Sequence, residues 1–568
     1  MRLRSLSSKL ILATVLSLVV AACGGGTATT APAATATTPP QATRATAAPI
    51  ATTAPTATTV AVPTGQFRFL GQNIPGSGFL PGNGTFHYQI EPMYDELIGL
   101  DVKTQLEPNQ GFISSWSMSP DAKQWTFKSK TGVLFHNGDK ASAADVKASL
   151  EWYINPDSGS GFSARALILD RVDVVDETTS VAMLKVGDVF FTYKQLTSGG
   201  TPWSADLLIP GKYVAEKGFK FAIQNPIGSG PYKFKRGDNA EIEYEATGVN
   251  HFFYGQPKYK TVTITVIPES NTRIALLKAA GAEAAFVPIA PVGDLRANGF
   301  DIVISQNQKT AYINIADQFR PTVTGGGPNP FTDARVRQAI SIAIDRDLLN
   351  EKFLNKTATP TIAKLSPRDI GYKEGAYTVP KQDLAKAKAL LAEAGYPNGF
   401  AMDFYLWQVC NGIDNCGEIL EAIAVWWEAI GLKVNRNPTT DVAFCCTGQA
   451  PRSKHDFSAP TVAGAWNGFN FPITAGVPTG IKNVLLRDTE DPEVDRLLIA
   501  LSAVKSTEDY ISTVRALEDV YVNKWITLPL FYNGDAYAIK KGSGGATWNI
   551  GQKGIALNLN ALLTGKSI

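Results

Sequence analysis

Residues 116–152 read WSMSPDAKQWTFKSKTGVLFHNGDKASAADVKASLEW, and this stretch decides the fold more than any other part of the chain. Pro120 presets φ and Asp121 can bond to nearby backbone N–H groups, so the segment predicts a turn. After it, Trp125 and Phe127 stand on either side of the polar Thr126, and Val133 and Phe135 repeat the spacing of two residues around Leu134. This alternation predicts two paired strands that bury one face.

A second turn and a helix follow in the same stretch. Residues 137–139 read NGD, a turn signal, and Ser142 then stands where a helix N-cap is expected. Asp145, three residues further on, completes a start similar to a capping box. The apolar face of the predicted helix consists of Val146, Leu150 and Tyr153.

The stretch resembles a signature of the family 5 extracellular solute-binding proteins of ABC importers, which include dipeptide, oligopeptide and nickel binders. The family pattern runs roughly W-x-x-S-P-D-x-x-x-(W/Y)-T-F-x-L-R-x-G-V-x-F-H-(D/N)-G-x-x-x-(T/S)-A-x-D-V-x-x-S. Ser129 and Lys130 stand where Leu-Arg is usual, and the other positions match. We expect these residues to hold one lobe together, so the motif indicates the family without locating its site.

Further segments resemble the family in the family's order, from about residue 65 to 568. They are YDEL at 94–97, GSGPY at 228–232, PFTDARVRQAI at 330–340 and KAKALLAEAGYP at 386–397. Of these, we expect residues 94–97 to be helical and the glycines of 228–232 to adopt unusual backbone angles.

Other segments are interpreted from local pattern. We expect a strand at 67–70, a buried strand at 261–267, one helical region at 494–523 and a closing strand at 526–532.

The resemblance implies an α/β fold, a two-lobed periplasmic-binding-protein-like clamp (type II, cluster C-like). The first lobe is expected to comprise residues 64–310 and 530–568, with an extra subdomain inserted at about 100–225. The second lobe is expected to comprise residues 311–529. With 568 residues, the chain is too long for one hydrophobic core, which agrees with more than one domain.

The N-terminus has the pattern of an export signal. Basic residues precede an apolar run, and small residues lead to Cys23, so residues 1–22 resemble the signal peptide of a bacterial lipoprotein. The resemblance implies lipid on Cys23, and an ordinary secretory signal is the alternative. Residues 24–63, rich in Ala, Thr and Pro, predict a disordered tether.

Charge argues against a nucleic-acid partner. The formal charge of the chain is +2, with 53 basic and 51 acidic residues. Without Arg2, Arg4 and Lys9 of the leader, 50 basic residues face 51 acidic ones, and the charge becomes −1. A nearly neutral body does not favour nucleic acid or an anionic surface.

The remaining cysteines predict two disulfides in an exported chain. They are Cys410, Cys416, Cys445 and Cys446. A vicinal bridge between the last two would be strained, so pairs between the two loops are favoured, although all three connectivities stay open. Zinc is the alternative, but the spacing is not that of a zinc finger.

The segment 464–472, GAWNGFNFP, is the candidate solute site. Peptide-binding relatives carry a pattern like G-W-x-G-D-x-x-D-P there, and its first Asp anchors the α-amine of the peptide. Phe469 occupies that position here. A buried ammonium without a counter-charge is costly, so the protein is hypothesised not to bind free-amino peptides in the usual way. A shifted register, or another acid such as Asp456, is the alternative.

The other candidate ligand residues are aromatic or amide side chains, which suit an uncharged, hydroxylated solute such as an oligosaccharide. A lone Trp, however, is often part of the core. The candidates beside Phe469 are Trp466, Asn467, Asn470, Trp407, Trp203 and His87. The four histidines are scattered, and His136 is expected to be structural, so no metal or cofactor is predicted.

The resemblance implies a solute-binding protein that is lipid-anchored outside the cytoplasm and delivers a peptide or an oligosaccharide-like solute to the permease subunits of an ABC importer. We expect a monomer. A sensory receptor with the same clamp is one alternative. A secreted enzyme is the other, but the sequence has no G-x-S-x-G, H-E-x-x-H or phosphate-loop motif.

Overall fold

Short strands and amphipathic helices alternate along the chain. The computed structural model describes residues 62–72, 87–100, 106–152, 154–158, 168–196, 207–238, 240–305, 309–315, 318–323, 327–367, 369–407, 413, 415–439, 460–466, 491–544 and 559–564. All of them belong to one compact unit, Thr59–Ile568. None of the helices within these ranges is long and apolar enough to cross a membrane.

The strands follow in chain order. They are β1 (Gln66–Gly71), β2 (Gly99–Leu100), β3 (Leu106–Glu107), β4 (Ile113–Met118), β5 (Gln124–Ser129), β6 (Leu169–Val174), β7 (Thr179–Leu184), β8 (Tyr232–Gly237), β9 (Glu241–Ala246), β10 (Thr261–Val266), β11 (Ala284–Val287), β12 (Phe300–Ile304), β13 (Lys309–Ile315), β14 (Thr359–Pro360), β15 (Ala401–Trp407), β16 (Lys433–Thr439), β17 (Thr461–Trp466), β18 (Thr527–Asn533) and β19 (Ala536–Lys540).

The helices lie between them. They are α1 (His87–Ile90), α2 (Ala143–Trp152), α3 (Phe191–Gln195), α4 (Gly211–Lys217), α5 (Phe219–Gln224), α6 (Ser270–Lys278), α7 (Val292–Ala297), α8 (Ala334–Ile342), α9 (Arg346–Phe353), α10 (Leu384–Glu393), α11 (Cys416–Ala429), α12 (Pro492–Ser502), α13 (Thr507–Asn523) and α14 (Leu559–Thr564). Short 3-10 helices occur at Glu91–Met93, Pro108–Gln110, Pro156–Ser158 and Pro330–Thr332.

A seven-stranded sheet has the order β12-β19-β11-β1-β10-β9-β8. The predicted strands at 67–70 and 261–267 are confirmed as β1 and β10, and they pair in parallel. Phe67 and Phe69 of β1 are buried, and their register partners on β10 are apolar too. Strand β19 enters the sheet from the far end of the chain and pairs antiparallel with β11 and β12.

A six-stranded sheet has the order β14-β18-β13-β17-β15-β16. Helix α11 packs on it, with the Trp427 ring 4.8 Å from that of Phe404. The Trp427 indole also donates a hydrogen bond to the Ile340 carbonyl at 2.8 Å. Val336 and Ile340 of α8 are part of the same core.

A four-stranded antiparallel sheet has the order β4-β5-β7-β6, and it contains the start of the stretch 116–152. The predicted pairing of 125–127 with 133–135 is wrong, because β5 pairs with β4 and β7. Val133 and Phe135 are buried as expected, but they flank Leu134, which forms an isolated antiparallel bridge with Lys140. The Phe135 amide donates to the Asp139 carbonyl there at 2.9 Å, so the segment satisfies its own backbone.

The predicted start of α2 is confirmed. The Ser142 amide donates to Asp145 Oδ2 at 2.8 Å, and the Ala144 amide donates to Ser142 Oγ at 3.3 Å. The two side chains therefore satisfy amides at both sides of the helix start, as in a capping box. Asp145 Oδ1 also accepts from the Gly211 amide at 2.8 Å, which ties α2 to α4.

Two predictions of helix are corrected. Residues 94–97 are not helical, because the chain turns extended at Tyr94 directly after the 3-10 helix Glu91–Met93. The single helical region expected at 494–523 is two helices, α12 and α13. The Ser506 side chain accepts from the Asp509 amide at 3.1 Å and starts α13 anew.

The closing strand expected at 526–532 exists as β18, but it is not the last element, since β19 and α14 follow.

The turn at 228–232 requires glycine for a different reason than expected. Neither Gly228 nor Gly230 has a left-handed φ. A β-carbon at Gly228 would instead lie 1.9 Å from the Met93 carbonyl oxygen, and one at Gly230 would lie 2.6 Å from the Met93 carbonyl carbon. Close backbone approach, rather than backbone angle, excludes a side chain here.

Several predictions fall outside the described residues. They concern the leader 1–22, Cys23, nearly all of the tether 24–63, Tyr153, Trp203, Asp456, Asn467, Phe469, Asn470, Cys410, Cys445 and Cys446.

Candidate functional site

Two chain segments connect the large sheets, one between β12 and β13 and one between β18 and β19. They are bonded to each other. The Ser305 amide donates to the Asp535 carbonyl at 2.9 Å, and the Asp535 amide donates to Ser305 Oγ at 2.7 Å. Both residues are buried. Paired connections of this kind can act as the hinge of a clamp, because a few residues absorb the motion.

The place where these two connecting segments meet, at Ser305 and Asp535, is called the crossover. In the six-stranded sheet, the carboxyl ends of the parallel strands point toward it. Strands β15, β16 and β17 are parallel, so they end at the same edge. Strand β13 begins there, since Ala311 pairs with Trp466, and β18 ends there, since Thr310 pairs with Tyr532.

In the seven-stranded sheet, the carboxyl ends of the parallel strands also point toward the crossover. Strand β1 runs parallel to both β10 and β11, so these three strands end at one edge. Strand β19 begins at that edge, where Ala536 pairs with Val287. In open α/β sheets, ligands bind outside the carboxyl ends of the strands. The space around the crossover is therefore the candidate solute cleft.

The structure brings two predicted site residues to neighbouring strand ends. Trp407 is the last residue of β15 and Trp466 is the last residue of β17. Tyr405 and Ala463 are register partners in this parallel pair, so the two tryptophans lie two and three residues further toward the same edge. From the sequence, this proximity across 59 residues was not expected.

His87 lies elsewhere in the described part of the chain. It is the first residue of α1, and the Tyr244 hydroxyl donates to the Gln89 carbonyl of the same helix. This bond places α1 beside β9 of the seven-stranded sheet.

Two histidines, the half-buried His136 and the buried His251, hold the 228–230 turn. Nδ1 of His136 accepts from the Gly228 amide at 3.3 Å, and its Nε2 lies 2.9 Å from the Gly230 carbonyl oxygen. His251 Nε2 lies 2.8 Å from the Ser229 carbonyl oxygen and 3.2 Å from Oδ1 of the buried Asp95. The expected structural role of His136 agrees with these contacts. Burial lowers the pKa of His136 to about 4.

No group of three or more metal-binding side chains occurs in the described ranges.

Sequence reasoning missed a cavity of about 510 Å³ at the β14 edge of the six-stranded sheet. Its buried floor includes Thr361, Leu365 and Glu518, and its rim is formed by the loop 371–379. The remaining lining includes Tyr372, Tyr377, Arg515, Asp519 and Tyr532.

Glu518 is an unusual residue for a buried position. Its side chain is on the face of α13 that also carries the buried Val514, Leu517 and Tyr521. Burial raises the pKa of Glu518 to about 7, and the hydrogen bonds from the Lys364 and Leu365 amides lower it. A carboxylate among apolar positions at helical spacing was the signal in the sequence that could have identified it.

An apolar cluster connects the residues beside the four-stranded sheet with helix α13. Phe190, beside α3, packs on Tyr510 of α13 with ring centroids 4.2 Å apart. Leu365 and Val514 belong to the same cluster as these rings. The cavity floor and this contact therefore share Leu365.

Comparison with known proteins gives a consistent family. The model of the bacterial extracellular solute-binding proteins, family 5 (middle), matches residues 107–478. The glutathione-binding protein GsiB of Pectobacterium atrosepticum is 30% identical over 343 residues, which are 60% of this chain and 62% of that protein. The match thus spans about six tenths of the length of this curated relative.

Solved structures agree with the fold. The ABC transporter substrate binding protein CtaP of Listeria monocytogenes matches with a TM-score of 0.69 at 18% identity, covering 84% of this chain and 94% of that one. The dipeptide binding protein of Pseudoalteromonas sp. SM9913, in complex with Met-Leu, matches with a TM-score of 0.65 at 19% identity, covering 84% and 96%. The predicted two-lobed α/β fold is confirmed.

Proposed function

The chain belongs to family 5 of the bacterial extracellular solute-binding proteins, and we propose that it captures a peptide-type solute between two lobes for delivery to an ABC importer. The family match carries the proposal. It is supported by the crossover at Ser305 and Asp535, around which both sheets present their strand ends. Capture by such a clamp needs complementarity and no nucleophile, which agrees with a binding protein rather than an enzyme.

The peptide class is supported by the relatives. The curated relative at 30% identity is named for glutathione, a tripeptide, and one neighbour holds the dipeptide Met-Leu. We extend this class to the present chain, while the particular solute is set by the segments that leave the strand ends.

Trp407 and Trp466 are the proposed centre of the solute site. They end neighbouring parallel strands, and Asn467, Phe469 and Asn470 follow directly in the sequence. Two indoles at adjacent strand ends would give apolar faces, and the amides would give hydrogen bonds to the solute.

The hypothesis that the protein lacks the usual Asp that binds the α-amine of a peptide rests on Phe469, which stands at that position. If this Asp is absent, Phe469→Asp should create a tight site for the α-amine of a tripeptide, because it supplies the missing counter-charge. Tight tripeptide binding by the wild type that Phe469→Asp does not improve would contradict the hypothesis.

An uncharged, hydroxylated solute is the second candidate. The observation that favours it is again the pair of tryptophans at neighbouring strand ends, since indole faces stack on sugar rings.

A thermal-shift experiment separates the two candidates. The chain is melted with reduced glutathione, with mixed tripeptides and with an oligosaccharide pool. A ligand at about one hundred times its Kd adds about 2.7 kcal/mol to the free energy of unfolding. A rise in Tm with peptides supports the first candidate, and a rise with sugars alone supports the second. No rise with any of them contradicts both.

Membrane anchoring through lipid on Cys23, with residues 24–63 as a tether, is part of the proposal. Its support is the sequence pattern alone. Mass spectrometry of the mature N-terminus tests it, and an unmodified Cys23 would contradict it. We also propose a monomer, which light scattering of the purified chain tests.

A disulfide at Cys416 is proposed as well. Cys416 is fully buried at the start of α11, and the even number of cysteines in the body of the chain supports the proposal. Non-reducing peptide mapping would identify its partner among Cys410, Cys445 and Cys446.

The lobe bounds near residues 310 and 530 stay proposals. The chain passes from the seven-stranded to the six-stranded sheet between β12 and β13, and it passes back between β18 and β19, which supports these bounds. Since β18 ends at Asn533, we propose the second lobe boundary at residues 534–535.

A further inference from the structure

We propose that the cavity at the β14 edge of the six-stranded sheet is a second binding site, which takes an organic ammonium group. Its floor is the buried Glu518, and its walls are tyrosines. The cavity adjoins the solute cleft at Tyr532, near the end of β18, but the rest of its lining comes from residues 359–379 and 515–519 and includes neither Trp407 nor Trp466. It does not rest on the proposed function.

The carboxylate of Glu518 is only half satisfied. Its Oε1 accepts from the Lys364 amide at 2.5 Å and from the Leu365 amide at 3.4 Å. Its Oε2 is buried and has no hydrogen-bond partner in the described part of the chain. An unpaired buried carboxylate oxygen is costly, so a donor that a small movement of the lining admits beside Oε2 would gain a strong, charge-assisted bond.

The walls fit a cation that carries carbon. Tyr372 and Tyr532 lie edge to face, with centroids 6.2 Å apart. Ring faces attract ammonium groups. One contact between an ammonium group and a tyrosine ring already occurs next to the cavity, since Lys364 Nζ lies 4.5 Å from the ring centroid of Tyr312.

The charges around the cavity do not repel a cation. The lining contains Glu374, Glu518 and Asp519 together with Lys373 and Arg515, and the buried Lys364 beside Glu518 brings the balance to zero. Arg515 donates its Nε–H to the Gly371 carbonyl at 3.0 Å, which holds its guanidinium near the rim.

The size of the cavity and the absence of a ligand cluster argue for an organic cation over a metal ion. A volume of about 510 Å³ lies within the usual range for small-molecule sites, about 300–1,000 Å³. Among the described residues, no group of three His, Cys, Asp or Glu could hold a metal.

Titration of Glu518 should make this site dependent on pH. Its pKa is raised to about 7 by burial; Lys364 lowers it and Asp369 raises it. A carboxylate with that pKa is about one tenth ionised at pH 6 and about nine tenths ionised at pH 8. The charged and titratable groups packed around it are Lys364, Asp369, Tyr372, Tyr377, Arg515, Asp519, Tyr521 and Tyr532.

The test compares two probes of the same shape on the full chain by calorimetry, phenethylammonium and its neutral counterpart 2-phenylethanol. At pH 8 we expect the ammonium to bind about tenfold or more tightly than the alcohol, and about tenfold more tightly than it binds at pH 6. Glu518→Gln should abolish both differences. The matched control is Glu508→Gln, an exposed glutamate in the first turn of the same helix, which should change neither.

Hydrogen–deuterium exchange locates the bound probe. Protection of amides in 359–379 and 513–520 is expected, and protection at the strand ends 404–407 and 461–466 instead would overturn the proposal. Equal affinity for the two probes, or no binding of either, would also overturn it. If Glu518→Gln does not fold, the wild-type pH series decides, because affinity that is independent of pH contradicts a role for Glu518.

Discussion

Gly534 lies so close to Ser305 that position 534 has no room for a side chain. A β-carbon there would lie 1.3 Å from the Ser305 carbonyl oxygen. The two residues belong to the two connections between the large sheets, which are held by the Ser305 and Asp535 hydrogen bonds. The crossing of the two connections is therefore a tightly packed point, and its energetics can be measured.

Gly534→Ala should lower the free energy of unfolding by about 3 kcal/mol or more, since backbone must move to admit the methyl group. Urea unfolding measures the change. The control is Gly293→Ala in α7, where the added carbon meets nothing within 4 Å. That variant should be neutral or more stable by up to about 1 kcal/mol, because alanine favours the helix. Equal effects of both substitutions would contradict the packing argument.

Ser305→Ala removes the acceptor of the Asp535 amide, a bond of 2.7 Å between buried groups. A buried donor left without a partner costs about 1–3 kcal/mol, and urea unfolding should show a loss of that size. Ser114→Ala removes an exposed bond to the Lys128 carbonyl and should cost less than about 0.5 kcal/mol. A Ser305→Ala variant as stable as Ser114→Ala would show that the bond is not needed.

Phe190→Ala should lower the free energy of unfolding by about 3–5 kcal/mol, because it empties the contact with Tyr510. Thermal or urea unfolding measures this loss. Phe252 is 55% exposed and gives the control, since Phe252→Ala should cost no more than about a third as much. Equal losses of unfolding free energy in the two variants would contradict a stabilising role for the contact between Phe190 and Tyr510.

His136 should make stability depend on pH between about 4 and 6.5. Burial lowers its pKa from 6.5 to about 4, so the unfolded chain takes up the proton first as pH falls. The free energy of unfolding therefore decreases as pH falls through this window, by up to about 3 kcal/mol from this residue. At pH 7 the contribution is complete.

His136→Gln tests this dependence. Glutamine can still accept from Gly228 and donate to Gly230, but it does not titrate. Urea unfolding at several pH values should show a smaller slope in the variant between pH 4 and 6.5, by about one proton. Identical slopes in the two proteins would contradict the assignment to His136.

Much of the fold could be predicted because its signals are local. The Ser142 cap with Asp145 and the apolar pattern of β10 act over a few residues, so the sequence shows them directly. The ordered motifs at 116–152, 330–340 and 386–397 indicated the family, and the match over 107–478 agrees.

The candidate site was predicted less completely. The importance of Trp407 and Trp466 was proposed from residue type, but their position at adjacent strand ends depends on the parallel pairing of β15 with β17. Glu518 was missed, because a single carboxylate on a helix looks like an exposed residue until its neighbours are known.

The sequence by itself determined the fold class, the family, the start of α2 and many of the apolar segments, since capping, turn geometry and side-chain period act between residues close in the chain. The tertiary structure alone decided which segments meet. It paired β5 with β4 and β7, placed β19 between β11 and β12, and enclosed Glu518 beneath the loop 371–379. Those choices depend on the burial of apolar faces and the satisfaction of backbone hydrogen bonds over the whole molecule, and local pattern does not contain that information.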